Sequence, residues 1–354
     1  MRNNNYMEKY GFLGIGAFGG NITRQFEQAG YPCIVANSSI EDLSQTKNAK
    51  NKLHFEGGLG CAKNRNKSKE LLKNNLELLI NEVKSKMPEI TNLFVCASSA
   101  GGTGSGMLAA TASILRNALD INVCVVTVLP SKQEQFKAFS NTVELFKEFD
   151  EKLNDSGAVF ILDNDRHKDK LKINGIFFTH LHALLKNENG SELGCIDRAE
   201  IDELLKSHGM AIITKLKSDN ANTDNLVEYM KGNNIYAPLE SDRVIKYFCL
   251  MNSNNDISTE QIYAELGVPI DDFIGTNSHS TVAMAAGLSF PKTRLNDIRK
   301  TAQTNSELIQ KSIQSASGGI FGDDDLGFLD VFATKQPPKE SKKKSSLDLL
   351  NEFL

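Results

Sequence analysis

A sheet of parallel strands covered by helices on both faces is the fold class this chain predicts, on three observations. Apolar runs end near Ile15, Ala36, Ala97, Leu129 and Leu162. Stretches with apolar residues at helical spacing lie between them, clearest over Ser68–Lys86 and Lys132–Lys152. Glycine-rich loops follow the runs that end at Ile15 and Ala97, each leading into a helical stretch. Continuous apolar runs belong to strands buried on both faces, and helical crossovers join such strands in parallel. Ligands of these sheets sit at the carboxyl ends of the strands.

Taken in order, the first strand enters Gly14-Ile15-Gly16-Ala17-Phe18-Gly19-Gly20 and then a helix carrying Asn21. The spacing matches the dinucleotide fingerprint G-x-G-x-x-G, which expects an acid at the end of the second strand to hold a ribose. That strand ends Ile34-Val35-Ala36-Asn37, and Asn37 is no carboxylate. A further glycine cluster, Gly57-Gly58-Leu59-Gly60-Cys61-Ala62-Lys63, precedes the helix at Ser68. It suits a segment closing over a terminal phosphate, or a mobile surface loop.

The run Leu93–Ala97 leads into Ser98-Ser99-Ala100-Gly101-Gly102-Thr103-Gly104-Ser105-Gly106 and the helix-like Met107-Leu108-Ala109-Ala110. Strand, glycine turn and helix start together make an anion site, where main-chain N–H groups approach a phosphate and the helix N-terminus adds partial positive charge. Gly104 is expected to permit close approach and a positive φ. Thr103 and Ser105 can donate hydroxyls. No Gly-Lys-Ser/Thr closes the loop, so it is not a P-loop. The plainer alternative is a small-residue turn for tight helix–strand packing. Two phosphate loops on one sheet edge suggest a mononucleotide gripped from both sides.

Asn164, after the strand Val159–Leu162, and Asn174, early in the apolar helix Leu171–Lys186, are candidates for reading a base, since an amide pairs with donors and acceptors alike. Each also suits a cap or turn. Asp197-Arg198-Ala199-Glu200 opens the next helix, where acids complement the helix dipole. Met210–Ile213, Val244–Met251 and Val282–Leu288 read as strands of a second α/β domain. A long polar helix runs from Pro291 to about Gln314, with Leu295, Ile298, Ala302, Leu308, Ile309 and Ile313 as its apolar positions, and Gly318-Gly319 ends it. Residues 335–346 have a linker composition, and Leu347–Leu354 is amphipathic.

Composition excludes several classes. The 354 residues are 40% hydrophobic and 24% charged, long enough for two domains with real cores. A net charge of −4 is no general nucleic-acid signature. Six cysteines without a C-x-x-C pair point to reduced, buried thiols in a cytoplasmic protein, not to disulfides or zinc. Neither a signal peptide nor a membrane span is expected.

The run Ala100-Gly101-Gly102-Thr103-Gly104-Ser105-Gly106 resembles the glycine signature of the tubulin/FtsZ superfamily. Gly14–Gly20 with Asn21 resembles that family's first phosphate loop, Asn37-Ser38 its second, and Gly58-Leu59-Gly60 with Cys61 its third, near the γ-phosphate. Pro130 with Glu134 resembles the fifth loop, where a glutamate holds the ribose, and Asn164 and Asn174 fall at the guanine contacts. Ile196-Asp197-Arg198-Ala199-Glu200 resembles the synergy loop, with Asp197 and Glu200 at its acidic positions. Arg198 stands where bacterial FtsZ has an aromatic residue, and Ala138 where an arginine is usual. The long final helix and lysine-rich tail look more like the TubZ family of plasmid and phage partition proteins.

The resemblance implies a tubulin/FtsZ-like α/β fold: a GTP-binding domain over residues 1–170, a central helix over 171–190, a second (activation) domain over 191–290, a C-terminal helix over 291–316 and a flexible tail over 317–354. It implies a GTPase using GTP/GDP and Mg²⁺, with Gly16, Ala17, Phe18, Gly19, Asn21, Asn37, Gly58, Gly60, Cys61, the run Ala100 to Gly106, Glu134, Asn164 and Asn174 around the nucleotide. A central helix of ~16 residues is about 24 Å long, so Asp197 and Glu200 would act on the nucleotide of the next subunit in a head-to-tail filament. The expected partners are further copies of the chain and a DNA-binding adaptor recruited by the tail, with DNA mainly indirect and no membrane. Residues 335–344 hold five lysines and one glutamate, a local charge of +4. The expected role is plasmid or phage DNA segregation. The alternatives are an FtsZ-like cytokinetic scaffold and, from another class, a monomeric Rossmann-type oxidoreductase.

Overall fold

The computed structural model describes residues 4–46, 48–187, 196–241, 245–253, 257–276 and 279–317. Its strands are β1 (Tyr10–Ile15), β2 (Cys33–Asn37), β3 (Lys52–His54), β4 (Asn92–Ser98), β5 (Asn122–Leu129), β6 (Ala158–Asp163), β7 (Gly209–Lys217), β8 (Ile245–Asn252), β9 (Pro269–Thr276) and β10 (Ser280–Leu288). The helices are α1 (Gly16–Gln28), α2 (Ile40–Gln45), α3 (Arg65–Asn74), α4 (Leu76–Lys86), α5 (Thr103–Leu119), α6 (Phe136–Lys152), α7 (Lys170–Lys186), α8 (Arg198–Lys206), α9 (Thr223–Lys231), α10 (Thr259–Leu266) and α11 (Lys292–Ser317).

All ten strands join one sheet in the order β3-β2-β1-β4-β5-β6-β7-β10-β8-β9. From β3 to β7 every pairing is parallel, whereas β10 runs antiparallel to both β7 and β8. The five apolar runs of the first half are the strands β1, β2, β4, β5 and β6, buried throughout except at Ser98 and Asn122. The narrowest point of the sheet is between β6 and β7, which share only Ala158↔Gly209 and Val159↔Met210. Beyond it the strands part, and residues 235–237 fill the gap: Ile235 accepts from the Asp163 N–H and Ala237 donates to Ile161, both at 2.9 Å.

Aromatic packing seats α1 on the sheet and α7 on α1. Phe12 of β1 stacks between Phe26 of α1 at 3.8 Å and Phe94 of β4 at 4.8 Å. Phe178 of α7 meets Phe26 edge-on at 5.0 Å, and Tyr31 shares a 3.1 Å hydrogen bond with His182. On its other side α7 is tied to β7 by His180, whose Nδ1 lies 3.0 Å from the Ile213 carbonyl oxygen.

Four local features depart from the sequence reading. The helical stretch Ser68–Lys86 is two helices. Asn75 interrupts it, and its side chain instead bonds Glu56 through both N–H (2.7 Å) and C=O (3.1 Å). The helix expected from Lys132 begins at Phe136, after a turn closed by Glu134 N–H to Ser131 C=O at 3.0 Å. Strand β3 has only three residues, too few for a pattern. Strand β9 carries a proline and two exposed aspartates because it is the edge of the sheet, where water meets it. Gly318-Gly319, the linker 335–346 and the amphipathic end Leu347–Leu354 lie outside the described residues.

Candidate functional site

The carboxyl ends of β1, β2, β4, β5 and β6 open onto a cleft of about 610 Å³. At one end the first turns of α1 and α5 point their N-termini into it. Gly16 begins α1 with φ +73°, a left-handed conformation that glycine adopts without strain. The segment after β2 crosses to the glycine loop through Ser38, whose Oγ lies 2.6 Å from Thr103 Oγ1. Cys61 Sγ donates to the same Ser38 Oγ at 3.4 Å, and the Gly60 N–H donates to the Ser38 carbonyl at 2.9 Å. Ser68 Oγ donates to the Thr103 carbonyl at 2.8 Å. Three loops distant in sequence are thus locked around one hydroxyl pair.

The wall behind the glycine loop is held by Asn141 of α6, which is buried. Its side-chain amide donates to the carbonyls of Lys63 (3.0 Å), Ala100 (3.3 Å) and Gly101 (2.8 Å). Arg65 donates to the Asn141 carbonyl at 2.9 Å and pairs with Glu148. These bonds occupy the carbonyls of Lys63, Ala100 and Gly101, so these acceptors are satisfied by protein and not offered to an anion.

At the other end, Glu134 Oε1 accepts from Lys170 Nζ at 2.8 Å, and Asn164 Nδ2 approaches it at 3.5 Å. Asn174 of α7 lines this end and is buried. Phe18, Val128 and Leu171 supply apolar surface. One end of the cleft is therefore rich in N–H and hydroxyl donors, the other a mixed amide, carboxylate and apolar pocket. That is the polarity of a nucleotide, phosphate to base.

The cleft brings together Gly16, Ala17, Phe18, Asn21, Asn37, Gly60, Cys61, Ala100, Gly101, Gly102, Thr103, Gly104, Glu134, Asn164 and Asn174. It does not include Gly19, Gly58, Ser105 or Gly106, and each has a packing reason. A Cβ on Gly19 would fall 2.1 Å from the Cys96 carbonyl oxygen, so this glycine seats α1 on β4. Gly58 lies under the Ser38 carbonyl, and Gly106 under Arg65 and Ser68. Ser105 is buried and donates back to the Gly101 carbonyl at 2.5 Å. The positive φ expected at Gly104 is absent: it sits in the first turn of α5, where a Cβ would press on Ala97 and Ile15. Its smallness serves helix–strand contact. Sequence reasoning passed over Ser39, Asp42, Lys63 and Lys170, which also line the cleft. Lys63, at φ +58°, ends the glycine cluster of residues 57–63.

Asp197 and Glu200 stand elsewhere. They form a capping box: Asp197 Oδ1 accepts from the Glu200 N–H at 2.9 Å, and Glu200 Oε2 from the Asp197 N–H at 2.7 Å. Their helix, α8, lies along the amino ends of the strands. Asp202 accepts from Asn92 at the start of β4 (2.9 Å), and the Leu205 carbonyl from Asn122 at the start of β5 (3.0 Å). Arg198 covers the Tyr6 ring, just before β1. Cleft and acid pair thus occupy opposite edges of one sheet. The seven residues of β4 alone separate those edges by roughly 20 Å.

Among the described residues no group of three His, Cys, Asp or Glu is placed to hold a metal ion. The five described cysteines are free and buried, and burial pushes the Cys124 thiol up to about 12. No described helix is long and apolar enough to cross a membrane.

Residues 4–172 match the GTPase domain of the tubulin/FtsZ family. The tubulin-like protein TubZ of Clostridium botulinum C phage is 25% identical over 311 residues, spanning 86% of this chain and 83% of that protein. The crystal structure of Clostridium botulinum phage c-st TubZ superposes with a TM-score of 0.76 at 22% identity, covering 87% of this chain and all of that one. A GTPγS-form protofilament of Bacillus thuringiensis TubZ gives 0.71 at 19% identity, covering 87% and 94%. The chain therefore carries, over residues 4–172, a GTPase domain of the tubulin/FtsZ family, on the fold seen in the TubZ structures.

Proposed function

We propose that this chain assembles head to tail into a GTP-driven filament that moves plasmid or phage DNA. The observation that carries the reading is the separation of cleft and acid pair on opposite edges of one sheet. Asp197 and Glu200 cannot reach a nucleotide in their own cleft, but a translated copy would bring them over it. A contact between unlike faces that repeats by translation builds an open filament. The protofilament form of Bacillus thuringiensis TubZ supports the same reading, as does the phage origin of the TubZ relative.

In this reading the first, second and glycine loops hold the phosphates, and Glu134, Asn164 and Asn174 hold the sugar and guanine. A Glu200 carboxylate orients a water in line with the γ-phosphoryl group and accepts its proton as attack proceeds. Asp197 fixes that carboxylate through their shared cap. The donor set at the phosphate end suits Mg²⁺, a hard cation that keeps most of its waters: Asp42, Ser38 and Thr103 offer oxygen. The ion, when bound, offsets charge on the phosphate oxygens. Hydrolysis then depends on assembly, and loss of the γ-phosphate weakens the junction. The division into a GTP-binding domain (1–170), central helix (171–190) and activation domain (191–290) belongs to this reading. So does recruitment of a DNA-bound adaptor by the tail, residues 317–354.

The test is GTPase rate per subunit against protein concentration, with electron microscopy of the same samples. A steep threshold coinciding with filaments is expected. A rate strictly proportional to concentration, without filaments, would leave a monomeric nucleotide enzyme.

A further inference from the structure

Arg294, in the first turn of α11, reaches the nucleotide end of the sheet. Its Nε donates to Asp163 Oδ2 at 2.7 Å. One terminal nitrogen donates to Asp163 Oδ1 (3.1 Å), Asp165 Oδ2 (2.8 Å) and the Pro130 carbonyl (2.9 Å). The guanidinium side chain is 8% exposed and Asp163 only 3%, so the charges are compensated by each other and not by water. The cluster is interlaced further: the Asp165 N–H donates to Asp163 Oδ1 at 3.0 Å, and the Lys132 N–H to Asp165 Oδ1 at 2.9 Å.

Asn164 stands between the two aspartates that Arg294 grips. Glu134 stands on the turn that begins at Pro130 and is pinned through Lys132. A buried ion pair costs desolvation that its attraction only roughly repays, so a bland reason for keeping one is weak. Here the planar fork does what apolar packing cannot. It fixes the relative position of two loops, each bearing one residue of the cleft.

We propose that Arg294 is a positioning residue for base and sugar recognition: it holds Asn164 and Glu134 in register with each other across the β5 and β6 ends. The proposal rests on the reading of this cleft as a guanine nucleotide site. It adds that a residue from the C-terminal helix sets nucleotide selectivity without touching the nucleotide. Since the same guanidinium seats α11, GTP binding and seating of that helix share one coupling free energy, equal in either direction.

The test uses the full chain with Arg294→Lys, which keeps the charge but not the fork, and Asp165→Asn, which leaves the Arg294–Asp163 pair and an oxygen for the Lys132 N–H but removes the acceptor that faces Arg294. Fluorescent-nucleotide titration gives Kd for GTP and ATP, and calorimetry gives Tm. Arg294→Lys is expected to weaken GTP about five- to tenfold, the worth of about one hydrogen bond, and ATP less, because ATP shares the sugar contact but not the guanine contact. Asp165→Asn moves the ratio the same way, so the proposal stays testable if Arg294→Lys fails to fold. In an Asn164→Ala background Arg294→Lys should weaken GTP less than it does in wild type, through Glu134 alone, and in an Asn164→Ala/Glu134→Ala background it should have no further effect. A lowered Tm with unchanged GTP/ATP ratio in both variants, or losses that simply add to that of Asn164→Ala, overturns the inference alone. Wild-type GTP binding by Asn164→Ala and Glu134→Ala overturns the cleft reading and the inference together.

Discussion

Asp197 and Glu200 cap one another, each carboxylate accepting the other's main-chain N–H at 2.9 and 2.7 Å. The pair therefore has a structural duty to α8 as well as the proposed catalytic one, and a simple deletion confounds the two. Glu200→Ala should cost about 1 kcal/mol through the lost cap and also abolish turnover. Glu200→Gln separates the effects, because glutamine serves at that capping position but cannot take a proton. We expect Glu200→Gln to melt within a degree or two of wild type, bind GTP normally, hydrolyse it at least a hundredfold more slowly and give long-lived filaments. Turnover at the wild-type rate would leave Glu200 as a cap only.

Gly101 and Gly104 predict opposite phenotypes from adjacent turns. A Cβ at Gly101 meets nothing within 4 Å and faces the cleft. Gly101→Val should leave Tm near wild type and weaken nucleotide binding by more than tenfold. A Cβ at Gly104 would stand 3.1 Å from Ala97 Cβ and 3.2 Å from the Ile15 carbonyl oxygen. Gly104→Val should therefore destabilise the fold by about 1–3 kcal/mol, with any binding loss following from displacement of α5. Denaturant titration and a nucleotide titration on each variant decide between wall and packing roles.

Asn141 satisfies three carbonyls from two loops. Asn141→Leu keeps the volume and orphans them. A stability loss of about 1–3 kcal/mol is expected, with weaker GTP binding as the Ala100–Gly101 segment loosens. Equal stability and affinity would mean that water replaces the amide and that the loop holds itself.

Burial lowers His180 from 6.5 to about 4, its bond to the Ile213 carbonyl opposing only in part. The folded protein thus takes up the proton less readily than the unfolded chain. Stability from neutral His180 is intact above pH 6.5 and is lost as pH falls towards 4. Burial lowers His208 as well, in the same direction. His180→Asn, which can still donate to Ile213 but does not titrate, should flatten the fall of Tm over that window.

The sheet was legible because β1, β2, β4, β5 and β6 are buried on both faces and read as unbroken apolar runs. β9 was not, because an edge strand is free to carry Pro269, Asp271 and Asp272. Asn75 was hidden for a different reason: apolar periodicity continues on both sides of it, and its side chain marks the break by bonding back to the Leu71 carbonyl and across to Glu56, 19 positions away. In the cleft the glycine loops announced a phosphate site, yet nothing local separates Gly101, which faces the cavity, from Gly19 or Gly106, which face protein. That distinction belongs to tertiary packing. Asn141 and Arg294 were invisible alike, since their partners lie some 40 to 164 positions away.

Opposite placement of cleft and acids makes a prediction in trans. Gly101→Val subunits retain Asp197 and Glu200 but lack a usable cleft. Glu200→Gln subunits retain the cleft but lack the base. Each alone should be nearly silent. In an equimolar mixed filament, about one junction in four sets an intact acid pair over an intact cleft, by random placement in a head-to-tail array. Turnover should therefore return to about a quarter of the wild-type rate. Adding Asp197→Ala to the Gly101→Val subunit should abolish the recovery, because the restored junction needs both acids from one neighbour. Sedimentation of the mixture reports whether the cleft variant enters the filaments. Turnover restored in sedimenting filaments places the acids of one subunit on the nucleotide of the next. Co-sedimentation without turnover would show that the acid pair does not act across the junction, and the catalytic group would have to be sought inside the cleft itself.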